Sequence, residues 1–137
     1  MRKLGIDYGD ARVGIAVTDP LNITAQGLET IQRNNSDKVV LRRLDEILKK
    51  YEVDTLVVGM PYNLKGEKTV RAEKTEQFIH KLRCKYNKLK IEIIDERLTT
   101  VAAHKTMNFL DINKNKKRDI VDTISAVYIL ETYINKK

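Results

Sequence analysis

The chain has 137 residues and a net charge of +7, with 42% hydrophobic and 33% charged residues. That length suits one domain, residues 1–137, with a single sizeable core, and no apolar run approaches the roughly 20 residues of a membrane span. One cysteine, Cys84, excludes an internal disulfide and a cysteine-based zinc cage.

The first stretch to stand out is Leu4 to Asp19, LGIDYGDARVGIAVTD. Two apolar runs, Leu4-Gly5-Ile6 and Val13 to Val17, flank a tight segment from Tyr8 to Arg12, which reads as two strands and a glycine-bearing turn. In the second run Val13, Ile15 and Val17 share one face, and Gly14, Ala16 and Thr18 share the other. The small-residue face leaves room for a backbone or a ligand to come close. Asp7 is out of character at the end of an apolar run. It either begins a metal site or bonds the amides of the turn.

A third strand is expected from Ala25 to Ile31 after Pro20, completing an antiparallel meander. Asp19 before Pro20 belongs to the turn. Asn34-Asn35-Ser36 supplies turn and N-cap residues for a helix over Asp37 to Tyr51, with Leu41, Leu44, Leu48 and Tyr51 on one face. Thr55 to Val58 reads as a buried strand closed by Gly59-Met60-Pro61. A polar loop from Tyr62 to Lys68 precedes a helix over Thr69 to Tyr86, whose inner face is Thr75, Phe78, Ile79, Leu82 and Tyr86. Ile91 to Ile94 is the next strand and ends in Asp95-Glu96-Arg97. Thr99 or Thr100 can cap a helix to about Leu110, Asp111 to Lys117 is a polar connection, and a last helix runs from about Arg118 to Ile134. Its expected stripe is Ile120, Ile124, Val127, Leu130 and Ile134, with Asp122 off that stripe and Asp119 complementing the helix dipole at its start. The later strands alternate with helices and should run parallel to each other and to the first. The expected fold is α/β, a mixed five-stranded sheet with helices on both faces.

In such a sheet sites form at the carboxyl ends of strands. Asp7 and either Asp95 or Glu96 would emerge at one edge, with Asp122 brought in from the last helix. Clustered carboxylates repel unless a cation lies between them. Oxygen ligands suit Mg²⁺ or Mn²⁺, and two such ions about 3.5–4 Å apart assist phosphodiester cleavage. Arg12 and Arg97 either hold a scissile phosphate or pair with neighbouring carboxylates. Two basic groups, Lys81, Arg83, Lys85, Lys88 and Lys90, then Lys114, Lys116, Lys117 and Arg118, suit a polyanionic partner. Aromatic residues make up 6% with no Trp, which argues against a base-stacking platform. His80 and His104 match no ligand spacing, and Cys84 reads as incidental. The carboxylate of Asp7 comes too early for a signal peptide, so a cytoplasmic location is expected and no membrane partner.

LGIDYGDARVGIAVTD, VVGMPYNLKG, IIDERLTTVAA and VDTISAVYILETYI resemble, in order, the four blocks of the YqgF/RuvX family. Its members are described as pre-16S ribosomal RNA nucleases and as Holliday junction resolvases. The resemblance implies a ribonuclease H-like fold and a cytoplasmic, divalent-metal-dependent nuclease acting on the 5′ end of small-subunit ribosomal RNA. It implies Asp7, Glu96 and Asp122 as catalytic, metal-holding carboxylates. Glu96 is preferred to Asp95 for its longer arm. Arg12 and Arg97 would contact phosphate, and Asn63 of the polar loop is a further substrate contact. Met60, Asp10 and Ala102 depart from the family's usual residues, and Asp10 bears on how closely nucleic acid approaches the first turn. The alternatives are a junction resolvase, which needs a dimer to cut paired strands, and a non-catalytic RNA-binding assembly factor. The expected state is a monomer or weak homodimer, with the small ribosomal subunit as a further partner.

Overall fold

The computed structural model describes residues 1–63, 65–96 and 114–135, with side chains of the last helix from Thr123 onward. Its elements are β1 (Arg2–Tyr8), β2 (Arg12–Thr18), β3 (Ala25–Gln32), α1 (Asp37–Tyr51), β4 (Val53–Met60), α2 (Val70–Lys85), β5 (Lys90–Asp95) and α3 (Lys114–Ile134). The five strands form one sheet in the order β3-β2-β1-β4-β5. The first three are antiparallel, and β1, β4 and β5 run parallel, as the alternation of strands and helices predicts. The expected helix between Thr99 and Leu110 lies outside the described residues.

Alternation along each strand sorts the apolar residues into two cores. Leu4, Ile6 and Tyr8 of β1 and Val13, Ile15 and Val17 of β2 pack under α1 and α2, with Val40, Leu44, Ile47, Phe78, Ile79 and Leu82. Ala16, Val57 and Ile94 face the other way, against Ala126, Ile129 and Leu130 of α3. Helices therefore cover both faces. The small-residue face of β2 admits a helix backbone. At Gly5 beside it, a Cβ would lie 2.6 Å from Leu130 Cγ and 2.8 Å from the Ala126 carbonyl oxygen.

Two helix stripes differ from the sequence expectation. In α1 the buried line is Val40, Leu44 and Ile47, with Leu41, Leu48 and Tyr51 on its flank. In α3 the buried residues are Ser125, Ala126, Ile129 and Leu130, while Ile124, Val127 and Ile134 are half-buried. In α3 the inner line follows the partner surface: the glycines of the sheet leave room for large side chains, so Leu130 seats on Gly5 and Ile129 on Gly59, with the small Ala126 where the helix backbone comes close. α3 also starts at Lys114, one turn earlier than expected, because lysine is a good helix former even in a polar run. Asp119 is thus beyond the first turn, which holds no acidic residue, and it does not serve the dipole there.

The predicted cap of α1 is made, Ser36 Oγ accepting from Lys38 N at 3.3 Å; Thr69, expected as the first residue of the next helix, instead caps it, its Oγ1 accepting from Ala72 N at 3.2 Å, while Thr99 and Thr100 lie outside the described residues. Asp19 takes up the amides of Ile23 and Thr24, each at 2.7 Å, and these backbone bonds hold its carboxyl below the usual range.

Candidate active site

The parallel strands β1, β4 and β5 end at one edge of the sheet, and two carboxylates meet there. Asp7 is the penultimate residue of β1, opposite Gly14 of β2. It points to the α3 side, because Leu4, Ile6 and Tyr8 take the other. Ile94 of β5 also packs on the α3 side, and Glu96 follows two residues later. Asp95, registered with Met60, falls on the opposite side of the pleat. Alternation thus separates the two acidic candidates: Glu96 is hydrogen-bonded to Asp7.

β4 stands between the strands that carry these residues. With strands about 4.8 Å apart, the backbones are about 10 Å from each other, and the side chains must cross the intervening strand. Gly59 makes the crossing possible. A Cβ at that position would lie 2.5 Å from Glu96 Cγ and 2.7 Å from Glu96 Oε1.

Asp7 and Glu96 are 7% and 5% exposed, so neither is solvated as a free carboxylate would be. Burial first, then the hydrogen bond and charge of Asp7, push the Glu96 carboxyl well above its usual range. Asp7 Oδ1 is buried and has no hydrogen-bond partner among the described residues. The cation facing it is Arg71, from the first turn of α2, with Nη2 3.7 Å from Asp7 Oδ1.

The other candidates divide. Arg12 opens β2, half-buried, and its carbonyl accepts from Gly9 N at 3.0 Å to close the first turn. Asp10 in that turn is bonded to Lys74 Nζ at 3.3 Å, so its charge is partly met. Asn63 Oδ1 accepts from Lys65 N at 3.0 Å and Glu67 N at 2.9 Å, which shapes the polar loop. Asp122 belongs to α3, one turn before Ala126, and its side chain lies outside the described residues, as does Arg97. Among the described residues no group of three or more His, Cys, Asp or Glu could hold a metal ion.

The first basic group is largely spent on ion pairs: Lys81 with Asp37 at 2.7 Å, Lys85 with Asp45 at 2.9 Å and Lys90 with Glu92 at 3.2 Å. It is not the unbroken positive patch that the spacing suggests.

Residues 1–136 match the RuvX family, described as Holliday junction resolvase. The chain belongs to the RuvX family. A relative from Ruminiclostridium cellulolyticum is 51% identical over 99% of this chain and 95% of its own length, and bears the name "Putative pre-16S rRNA nuclease". Relatives of the same name from Acetivibrio thermocellus and Clostridium acetobutylicum are 49% and 42% identical, over 100% and 98% of the chain and 97% and 98% of their own lengths. The fold matches Thermus thermophilus RuvC in complex with a Holliday junction substrate at a TM-score of 0.59, with 14% identity over 99% of this chain and 97% of that one. It also matches the fowlpox virus Holliday junction resolvase at 0.54, with 17% identity over 97% and 96%. The ribonuclease H-like, nuclease reading of the sequence therefore holds at the level of family and fold.

Within this RuvX chain, Gly59 and Arg71 are the site residues that sequence reasoning passed over. On sequence the strand ends at Val58, with Gly59 in its closing segment; β4 runs on to Met60, which puts Gly59 inside the strand, where a glycine marks a close approach. Arg71 carried no signal, and in the sequence is one more charge on a helix surface.

Proposed function

We propose that this chain is one divalent-metal-dependent nuclease domain, cytoplasmic, that hydrolyses phosphodiester bonds in maturing the 5′ end of pre-16S ribosomal RNA. The observation that carries the reading is the pair Asp7–Glu96, joined across Gly59 with one buried carboxylate oxygen unpartnered. A buried acidic pair gains nothing for stability and repels a phosphate. It has a use as a cation site.

The donors fit an oxygen-seeking ion, Mg²⁺ or Mn²⁺, because they are carboxylates and one oxygen lacks a partner. Asp7, Glu96 and Asp122 are the residues that would hold it. Such an ion supplies Lewis-acid stabilisation of the charge that builds on the phosphate during hydrolysis. The chain's own part is to fix the two carboxylates on rigid strands and to exclude water around them. Arg12 and Arg97 are placed in the sequence beside the acidic groups to orient the phosphate, and Asn63 offers a contact from the loop that it shapes.

The relatives' name favours ribosomal RNA over a DNA junction, and with it a small-ribosomal-subunit partner and a monomer or weak homodimer. Cleavage of a pre-16S RNA fragment with Mg²⁺ or Mn²⁺ tests the reading, beside Asp7→Asn and a synthetic four-way DNA junction. Metal-dependent RNA cleavage that the substitution abolishes is the expected result. Preference for the junction would replace the RNA reading with a resolvase. RNA binding without cleavage in either protein would leave a non-catalytic assembly factor.

A further inference from the structure

We propose that Arg71 is a phosphate contact of the bound nucleic acid, taking a backbone phosphate at the mouth of the site beside Asp7; this rests on the nuclease reading. The side chain is 52% exposed, so one end of it is open to a ligand from solvent. Its guanidinium faces Asp7 Oδ1 at 3.7 Å, beyond hydrogen-bond distance, and Asp7 Oδ1 receives no hydrogen bond from it or from any other described residue. The neighbouring cations of α2 and its approach are committed: Lys68 to Glu76 at 2.7 Å, Lys74 to Asp10 at 3.3 Å and Lys81 to Asp37 at 2.7 Å. Among the described residues the Arg71 guanidinium makes only this long contact to Asp7 and a charge interaction with Glu96, with no hydrogen bond to either. An arginine fork matches two phosphate oxygens, and a carboxylate beyond bonding reach does not use that geometry. Arg71 stands at the carboxyl edge of the parallel strands, where a phosphodiester must lie to reach Asp7 and Glu96.

The test compares wild type, Arg71→Gln, Arg71→Lys and Lys49→Gln. Lys49 is an exposed charge in the last turn of α1, just before the amino end of β4 and outside both basic groups. Binding of labelled pre-16S RNA and of a four-way DNA junction is measured in chelator, across a KCl series, so that cleavage does not interfere. Each phosphate contact contributes about 0.7 (single strand) to 0.9 (duplex) to the slope of log K against log salt. Arg71→Gln should lower the slope by about that amount, Lys49→Gln should leave it unchanged, and Arg71→Lys should restore the slope with weaker affinity. In cleavage, Arg71→Gln should raise KM. Circular dichroism checks that each variant is folded. Equal slopes in all proteins, equal losses in Arg71→Gln and Lys49→Gln, or no binding of either probe by wild type would overturn the proposal. Wild type that binds but never cleaves would instead sink the nuclease reading, and the slope comparison would still decide Arg71.

Discussion

A methyl group at position 59 would lie 2.5 Å from Glu96 Cγ and 2.5 Å from Ile129 Cδ1. Neither neighbour has open space to retreat into, since Ile129 is fully buried and Glu96 is 5% exposed. Gly59→Ala should therefore fold with Glu96 displaced from Asp7, and lose roughly 100-fold in cleavage rate, the scale of a misplaced catalytic group. Steady-state cleavage beside a thermal melt checks this; full activity in a folded variant would contradict it. Glu96→Gln should behave differently. Keeping a buried carboxyl neutral at neutral pH costs folding free energy, because the unfolded chain ionises it freely. An amide avoids that cost and can still bond Asp7. In chelator, Glu96→Gln should be more stable than wild type by about 0.5–2 kcal/mol, while cleavage is lost. Urea unfolding measures it, and a less stable variant would show that the acidic pair supports the fold.

At the scale of elements, one carboxylate ties α1, α2, β1 and the residue that follows β3 together behind the site. Asp37, the first residue of α1, accepts from Tyr8 Oη at 2.6 Å, Arg33 Nε at 2.7 Å and Lys81 Nζ at 2.7 Å. Tyr8 is the residue after Asp7 and stacks on Phe78 of α2 at 4.3 Å. Arg33 also reaches the Asp10 carbonyl at 3.1 Å, so the same group steadies the first turn. Burial pushes the Asp37 carboxyl up, but the bonds from Lys81, Tyr8 and Arg33 outweigh it and hold the group below the usual range. A carboxyl lowered by folding stabilises above its unfolded pKa, near 4. That stability should fade as pH falls through the lower folded value. Tyr8 is pushed up to about 12, by burial first and then by Asp37, so its contribution should be full below about pH 10 and fade as pH rises towards 12. Asp37→Asn should cost about 1–3 kcal/mol and flatten the acid limb of a stability–pH curve. On the other face, Gly5→Ala should cost about 1–3 kcal/mol by forcing α3 off the sheet.

For the whole molecule, a net charge of +7 favours polyanions in general, and ion pairing leaves little of the first basic group to define a binding track. Affinity for nucleic acid should fall steeply with salt whatever the substrate, so salt dependence alone does not separate RNA from junction DNA. Oligomeric state does, because a resolvase must present two sites to symmetric strands. Sedimentation with a pre-16S RNA fragment and with a four-way junction should show one chain per nucleic acid, and cleavage should rise in proportion to protein concentration. Cleavage that rises with the square of protein concentration would point to the resolvase.

The sequence by itself determined the strand and helix order among the described residues, the parallel run of later strands, and Asp7 as an anomaly, because periodicity and turn chemistry are local. It also marked Asp95-Glu96 as the second acidic position, and the period-2 pleat was enough to send the two residues to opposite faces. What it could not decide was which neighbours lie across the sheet. Gly59 mattered only once β4 was known to separate Asp7 from Glu96, and Arg71 only once the start of α2 was set over β1. The stripe of α3 depended on the same thing: Leu130 and Ile129 turn inward because Gly5 and Gly59 leave them room, and no count of apolar spacing along one helix reveals what its partner surface is made of. Contacts between elements distant in sequence are set by packing, and only the tertiary structure supplies them.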